Sequence, residues 1–283
     1  MNRRHTFYML WLLVTVVCAV LAFVIAAYVS FSRAPEGSVP VHQTAVKPDR
    51  DKPEATEEPL ETEAPTPSPS PTPEPVPVTL EETEDMGEEY LSKFVFVGDS
   101  TTYGLGAFEV LPFTQIWVPS SGTLTLNAQS YSLIDYYSED GSIQQLSIAD
   151  AAALRQPEYL IITLGLNGIS FMEEEEFKTE YTDLVRSIQE ASPDTKIICH
   201  SIYPVIDSLV SSDIQNDRIL RANGWILDIA TETGTRYLNT HDALMDETGN
   251  LKAEYNAGMG DGIHLNPDGL RVITNSVRTH GYR

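Results

Sequence analysis

From residue 89 onward the sequence predicts an α/β domain, a parallel sheet held between layers of helices. Two observations predict it. Short apolar and β-branched runs alternate with longer stretches of helical period, the pattern that yields parallel strands joined by right-handed crossovers. The first of these runs also stops at a glycine followed by polar residues, and ligands of such sheets bind at the carboxyl ends of strands.

Strands are expected at Lys93 to Val97, Gln115 to Val118, Tyr159 to Leu164, Lys196 to Ser201 and Arg236 to Asn239, each a β-branched or aromatic run. Helices are expected between them, the first over Ile143 to Leu154. The clearest is Glu173 to Glu190, where Phe177, Tyr181, Leu184, Val185 and Ile188 share one face. Its acidic first turn, Glu173 to Glu176, complements the helix dipole and is given no binding role. Asp213 to Thr231 forms another helix, ending near Gly234, and Pro267 opens a last one through Arg278.

Ahead of this domain the composition changes twice. Phe7 to Ser32 is a run of 26 residues without a charge, about 39 Å as a helix and long enough to span a bilayer. Arg3 and Arg4 precede it with no acidic residue nearby, which favours an inside N-terminus and an outside domain. The division is therefore a cytoplasmic tail at 1–6, a transmembrane signal-anchor helix at 7–32, a linker at 33–88 and the catalytic domain at 89–283. A cleaved signal peptide is the alternative, but its apolar region is usually shorter, about 7–15 residues. The linker is rich in Pro, Glu and Thr, with Thr66-Pro67-Ser68-Pro69-Ser70-Pro71-Thr72-Pro73 at its centre. Such a segment cannot bury a core and reads as a disordered, extended stalk.

Eighteen Lys and Arg stand against 41 Asp and Glu, a net charge of −23, which disfavours nucleic acid and anionic membrane surfaces as partners. Cys18 lies in the apolar span and Cys199 in a strand, so the domain has no intrachain disulfide to form. The six histidines show no metal-ligand spacing, and no cofactor or metal is expected.

The chemistry is concentrated in three blocks. Gly98-Asp99-Ser100-Thr101-Thr102 follows the first strand, Gly165-Leu166-Asn167 follows the third, and Asp261-Gly262-Ile263-His264 precedes the last helix. A serine hydroxyl is a poor nucleophile until a base removes its proton; imidazole is suited to that task, and a carboxylate orients the ring. Each residue also has a plainer role. Ser100 could be a helix cap, Asp261 a turn former beside Gly262, Asn167 the cap of the next helix, and His264 a loop residue. His200, at a strand end, is a structural or cleft-lining alternative; His241 beside Asp242 reads as a loop residue with a local hydrogen bond.

With these blocks in this order the chain resembles the SGNH, or GDSL, hydrolase family. The resemblance implies a flavodoxin-like three-layer α/β/α sandwich. It implies Ser100 as nucleophile, His264 as base and Asp261 as its partner, with an oxyanion hole made from the Ser100 amide, the Gly122 amide and the Asn167 side chain. The family's Gly-x-Asn-Asp block here ends in Gly168, and Gly122 is placed as the glycine after the second strand. The activity implied is cleavage of acyl esters through an acyl-serine intermediate. A domain on an extracellular stalk points to acetyl or other short acyl groups on polysaccharide or envelope glycan, with a monomeric domain. Transfer of the acyl group to a sugar hydroxyl, or a silent glycan- or wall-binding module, are the alternatives, the latter favoured by the Asp lost after Asn167.

Overall fold

The computed structural model describes residues 77–206, 214–258, 260 and 262–283. The expected tail at 1–6, the span at 7–32 and the stalk as far as residue 76 lie outside them. Among the described residues, no helix is long and apolar enough to cross a membrane.

Helix α1 (Gly87–Leu91) leads into β1 (Phe94–Gly98), α2 (Ser100–Ala107) and β2 (Ile116–Trp117). A hairpin of β3 (Ile134–Tyr137) and β4 (Ile143–Leu146) follows, then α3 (Ile148–Arg155), β5 (Tyr159–Thr163), α4 (Glu174–Ala191) and β6 (Lys196–His200). The chain closes with α5 (Asn216–Thr233), β7 (Arg236–Leu238), the single turn α6 (His241–Leu244) and α7 (Pro267–Thr279). The sheet has five strands in the order β2-β1-β5-β6-β7, and every pairing is parallel.

Each central strand is buried on both faces, which is why it reads as a continuous apolar run. In β1 the side chains alternate. Phe94 and Phe96 enter a core with Leu105 of α2 and Leu270, Ile273 and Val277 of α7. Val95 and Val97 enter another with α3, α4 and α5, which contribute Ala151, Tyr181, Leu184, Ile219 and Ile226 among others. The five α4 residues expected on one face are all fully buried. Helix α5 stops where Gly234 takes φ +69°, a left-handed cap that glycine adopts without strain.

The expected helix over Ile143 to Leu154 is corrected. Residues 143–146 pair antiparallel with 134–137, and the helix starts only after Ser147, whose hydroxyl accepts the Asp150 amide at 3.1 Å. Local capping at Ser147 and the partner strand outweigh helical period in the preceding four residues. The hairpin was not foreseen, although Asp140-Gly141, with Gly141 at φ +83°, is a turn signal between its strands.

The boundary expected at 88/89 also moves. Thr79 bridges Tyr237 at the sheet edge, with Leu80 N donating to Tyr237 O at 2.8 Å and Tyr237 N to Val78 O at 2.9 Å. Met86 N donates to Arg278 O at 3.0 Å, and the Arg278 side chain pairs with Asp85 and Glu88. Leu80 is only 6% exposed. A segment whose composition matches the stalk is thus a strap across β7 and α7, because its Val78 and Leu80 supply apolar side chains and its backbone covers an open edge. A domain beginning at residue 87 should be less stable than one beginning at 77 by about 2 kcal/mol or more, from Leu80 burial alone. Paired urea denaturation of the two domains measures this, and equal midpoints would contradict it.

Candidate active site

The site begins at the end of β1. A Cβ built on Gly98 would lie 2.0 Å from Thr102 Oγ1 and 2.1 Å from Thr163 Oγ1, so no larger residue fits. Those two hydroxyls are hydrogen-bonded to each other, and Thr163 donates to Val97 O at 3.1 Å, which leaves Thr102 as donor to Thr163. They tie the first turn of α2 to the end of β5.

Asp99 is the residue that caps α2, its carboxylate accepting the Thr101 amide at 3.1 Å. Ser100 is therefore not the cap but the first helical residue, half-buried, and its own amide belongs to the first turn of amides that have no acceptor within the helix. Asp99 is 2% exposed. Burial pushes its carboxyl up to about 6, against the Thr101 amide and the nearby His264, which both act to lower it.

His264 comes to Ser100 from 164 residues away, with Nε2 at 3.0 Å from Oγ. Its loop is held by a two-residue pairing. Ala257 N donates to His264 O at 2.8 Å, and Asn266 N to Tyr255 O at 2.8 Å. Asn266 then caps α7 through the amides of Asp268 and Gly269, both at 3.0 Å. Asp261, the expected partner of the ring, lies outside the described residues.

Gly122 and Asn167 lie on adjoining segments, because Asn167 Nδ2 donates to Leu124 O at 3.3 Å, two residues beyond Gly122. An amide carries two hydrogens, so one remains for another acceptor. Asn167 sits in a turn and does not cap α4, whose cap is Glu173. Gly122 has φ +68°, and its N–H donates to Pro119 O at 2.8 Å, closing a turn. That proton is directed into the loop. Gly165, at φ +137°, leaves space that a Cβ would take from Ile202 Cδ1, 2.7 Å away.

The competing histidines are placed elsewhere. His200 is fully buried, with Tyr203 Oη at 2.9 Å from Nδ1 and Thr240 Oγ1 at 2.7 Å from Nε2, and burial pushes its pKa down to about 3. It is a neutral core histidine with both nitrogens engaged. His241 opens α6, is 1% exposed and lies 3.3 Å from Asp242; burial lowers its pKa as well. His280 donates from Nδ1 to Ser276 O at 2.9 Å at the end of α7. His5 and His42 lie outside the described residues. Among the described residues, no three His, Cys, Asp or Glu side chains are grouped to hold a metal.

Two contributors went unseen in the sequence. The threonine pair around Gly98 has no local signal, since its members are 61 residues apart. The other is a polar brace behind the Gly122 loop: Ser120 Oγ donates to Asp135 at 2.7 Å, and Gln145 Nε2 donates to Ser120 Oγ at 3.1 Å. Only the missed hairpin brings Asp135 and Gln145 together.

The raised Asp99 pKa has a consequence for stability. At low pH the carboxyl is neutral in both folded and unfolded chains. As pH rises from about 4 to about 6 the unfolded chain releases its proton while the folded one keeps it, so stability falls. Replacing Asp99 with Asn keeps a capping oxygen and removes the charge. Wild type should therefore lose up to about 3 kcal/mol relative to Asp99→Asn between pH 4 and pH 7 in urea denaturation. A pH-independent difference would show that the buried carboxylate carries no such penalty.

A family model described as the GDSL-like lipase/acylhydrolase family matches residues 96–272. No curated protein matches the chain. Among solved structures, a GDSL-like lipase from Bacteroides thetaiotaomicron is 15% identical, with a TM-score of 0.46 over 67% of this chain and 87% of that one. A Streptococcus pneumoniae protein described as a candidate platelet activating factor is 19% identical, with a TM-score of 0.48 over 69% and 90%. An acetyl-xylooligosaccharide esterase from Geobacillus, a variant form, is 17% identical, with a TM-score of 0.43 over 67% and 94%. With a family match that begins in β1, two residues before Gly98, and runs through His264 into α7, this chain belongs to the GDSL-like lipase/acylhydrolase family and is an ester-cleaving hydrolase.

Proposed function

We propose that Ser100 is the nucleophile, His264 the base and Asp261 the acid that orients it, in an extracellular esterase that removes acetyl or other short acyl groups from polysaccharide or envelope glycan. The observation that carries this reading is the 3.0 Å contact between Ser100 Oγ and His264 Nε2 at the carboxyl end of a parallel strand. In the reaction, Oγ bonds to the ester carbonyl carbon while its proton passes to Nε2. The carbonyl oxygen takes up the negative charge. Collapse breaks the bond to the alcohol oxygen, which leaves with the proton from Nε2, and water then repeats the sequence on the acyl-serine.

Charge on the oxygen is met by the Ser100 amide and by the second hydrogen of Asn167 Nδ2. The Gly122 amide, which donates to Pro119 O at 2.8 Å, joins them by sharing its hydrogen between both acceptors. Such preorganised donors carry much of the rate, each about 10²–10³ in turnover.

The location rests on the N-terminal sequence. An uncharged run at 7–32, with Arg3 and Arg4 before it, supports a single span with the N-terminus inside, a linker from 33 to about 76, and the catalytic domain outside.

A domain from residue 77 should hydrolyse p-nitrophenyl acetate, and Ser100→Ala should reduce kcat by about 10³ or more; wild-type turnover no faster than the variant's would reject Ser100 as nucleophile. For the anchor, a C-terminally tagged full-length chain should remain in membranes with Met1 intact. Recovery of a shortened, soluble product would replace the anchor with a cleaved signal peptide.

A further inference from the structure

Beside Ser100 the surface carries an aromatic row that the acyl chemistry does not use. Tyr103 lies one turn along α2, three residues after Ser100 and so on the same helical face. It is 42% exposed, so the ring is open to solvent. One side of it rests on the Gly122 loop: a Cβ built on Gly122 would be 3.6 Å from Tyr103 Cγ. Phe113 packs against it at a tilt, with ring centroids 5.9 Å apart, and beyond Phe113 stands Tyr137, at 5.2 Å.

The row continues onto a polar edge. Tyr137 and Asp135 are two residues apart in β3 and so share its outer face, and Gln145 lies opposite Asp135 on β4. Ser120, two residues before Gly122, donates to both oxygens of Asp135, at 2.7 and 2.8 Å, and receives Gln145 Nε2 at 3.1 Å. Ser120 and Gln145 are exposed. Aromatic faces thus adjoin a fixed carboxylate, a hydroxyl and an amide, all next to the loop proposed to meet the oxyanion.

This combination selects among alcohols. A long aliphatic chain laid along it would desolvate Asp135 and Gln145 without replacing their hydrogen bonds, a cost of several kcal/mol by the usual transfer values of about 2–7 per polar group. A pyranose ring has the opposite character. Its axial C–H face can lie on an aromatic ring while its equatorial hydroxyls exchange hydrogen bonds with a carboxylate and an amide. A chain with 23 more acidic than basic charges also disfavours polyanionic sugars.

We infer that Tyr103, backed by Phe113 and extended by Tyr137, is the platform on which the sugar ring carrying the ester stacks. It positions the non-acyl half of the substrate over Ser100. The inference rests on Ser100 being the nucleophile, and it makes Tyr103 a determinant of specificity and not a member of the acyl-transfer machinery.

The test compares two acetyl esters on the full-length protein: a fully acetylated methyl pyranoside, which has a ring to stack, and glycerol triacetate, which has none. In Tyr103→Ala and in Tyr103→Leu, the pyranoside-to-triacetate ratio of kcat/KM should fall about tenfold, mostly through KM, the size of one lost aromatic contact. Tyr103→Phe, which keeps the ring face, should hold the ratio within about twofold. The leucine variant keeps apolar bulk against Gly122, so a folding defect confined to the alanine variant leaves the test intact. An unchanged ratio in the leucine variant, or a fall in the phenylalanine variant as large as in leucine, overturns the platform. Ser100→Ala separates this from the parent reading. Loss of both hydrolyses in that variant with a flat Tyr103 ratio defeats only the platform, whereas persistence of both defeats the acyl-serine mechanism itself.

Discussion

At the carboxyl end of β1 there is room for a hydrogen atom and little more. Gly98 pairs with Thr163 across the β1–β5 ladder, and the hydroxyls of Thr102 and Thr163 close over it from helix and strand. The missing side chain lets the chain turn from strand to helix within one residue, so that Asp99 can cap α2 and Ser100 can open it. With a bulkier residue the hydroxyl pair would part and α2 would swing away from β5. Ser100 would then move relative to Asn167, which follows β5, and to His264, which arrives from the far end of the chain. The site is an outcome of strand register as much as of its own side chains.

Beneath Ser100 the protein buries several polar side chains. Asp99 lies below Ser100, and its charge, after burial, helps hold the Tyr203 phenol well above its usual range. Tyr203 meets His200, and His200 meets Thr240, all within the fold. Burial keeps His200 unprotonated and Tyr203 protonated around neutral pH, so these two supply oriented dipoles, and Asp99 is the group of this layer that changes charge.

Much of this was legible in the sequence, for identifiable reasons. Strands buried on both faces announce themselves as apolar runs, and each of the five was found, with ends displaced by a residue or so. Helix α4 was legible because its stripe is regular. Ser100 and His264 were legible because each sits in a short block with a recognisable composition. The rest depended on partners distant in sequence. Ile143 to Leu146 became strand only because residues 134–137 lie beside them, and Val78 and Leu80 pack only because β7 leaves an edge open. The direction of the Gly122 amide is a property of one turn, set by the loop's path from Pro119, which residue type alone does not determine.

The strap that crosses β7 and α7 has a mechanical meaning. Any tension arriving along the polypeptide from before Pro77 meets first the bridge at Thr79 and then the pairing of Asp85 and Glu88 with Arg278. Those attachments sit at the sheet edge and at the last turn of α7, the end opposite the Asn266 cap that anchors the loop of His264. Force applied at Pro77 would therefore be borne by fasteners that can yield in sequence before the alcohol and the imidazole are drawn apart.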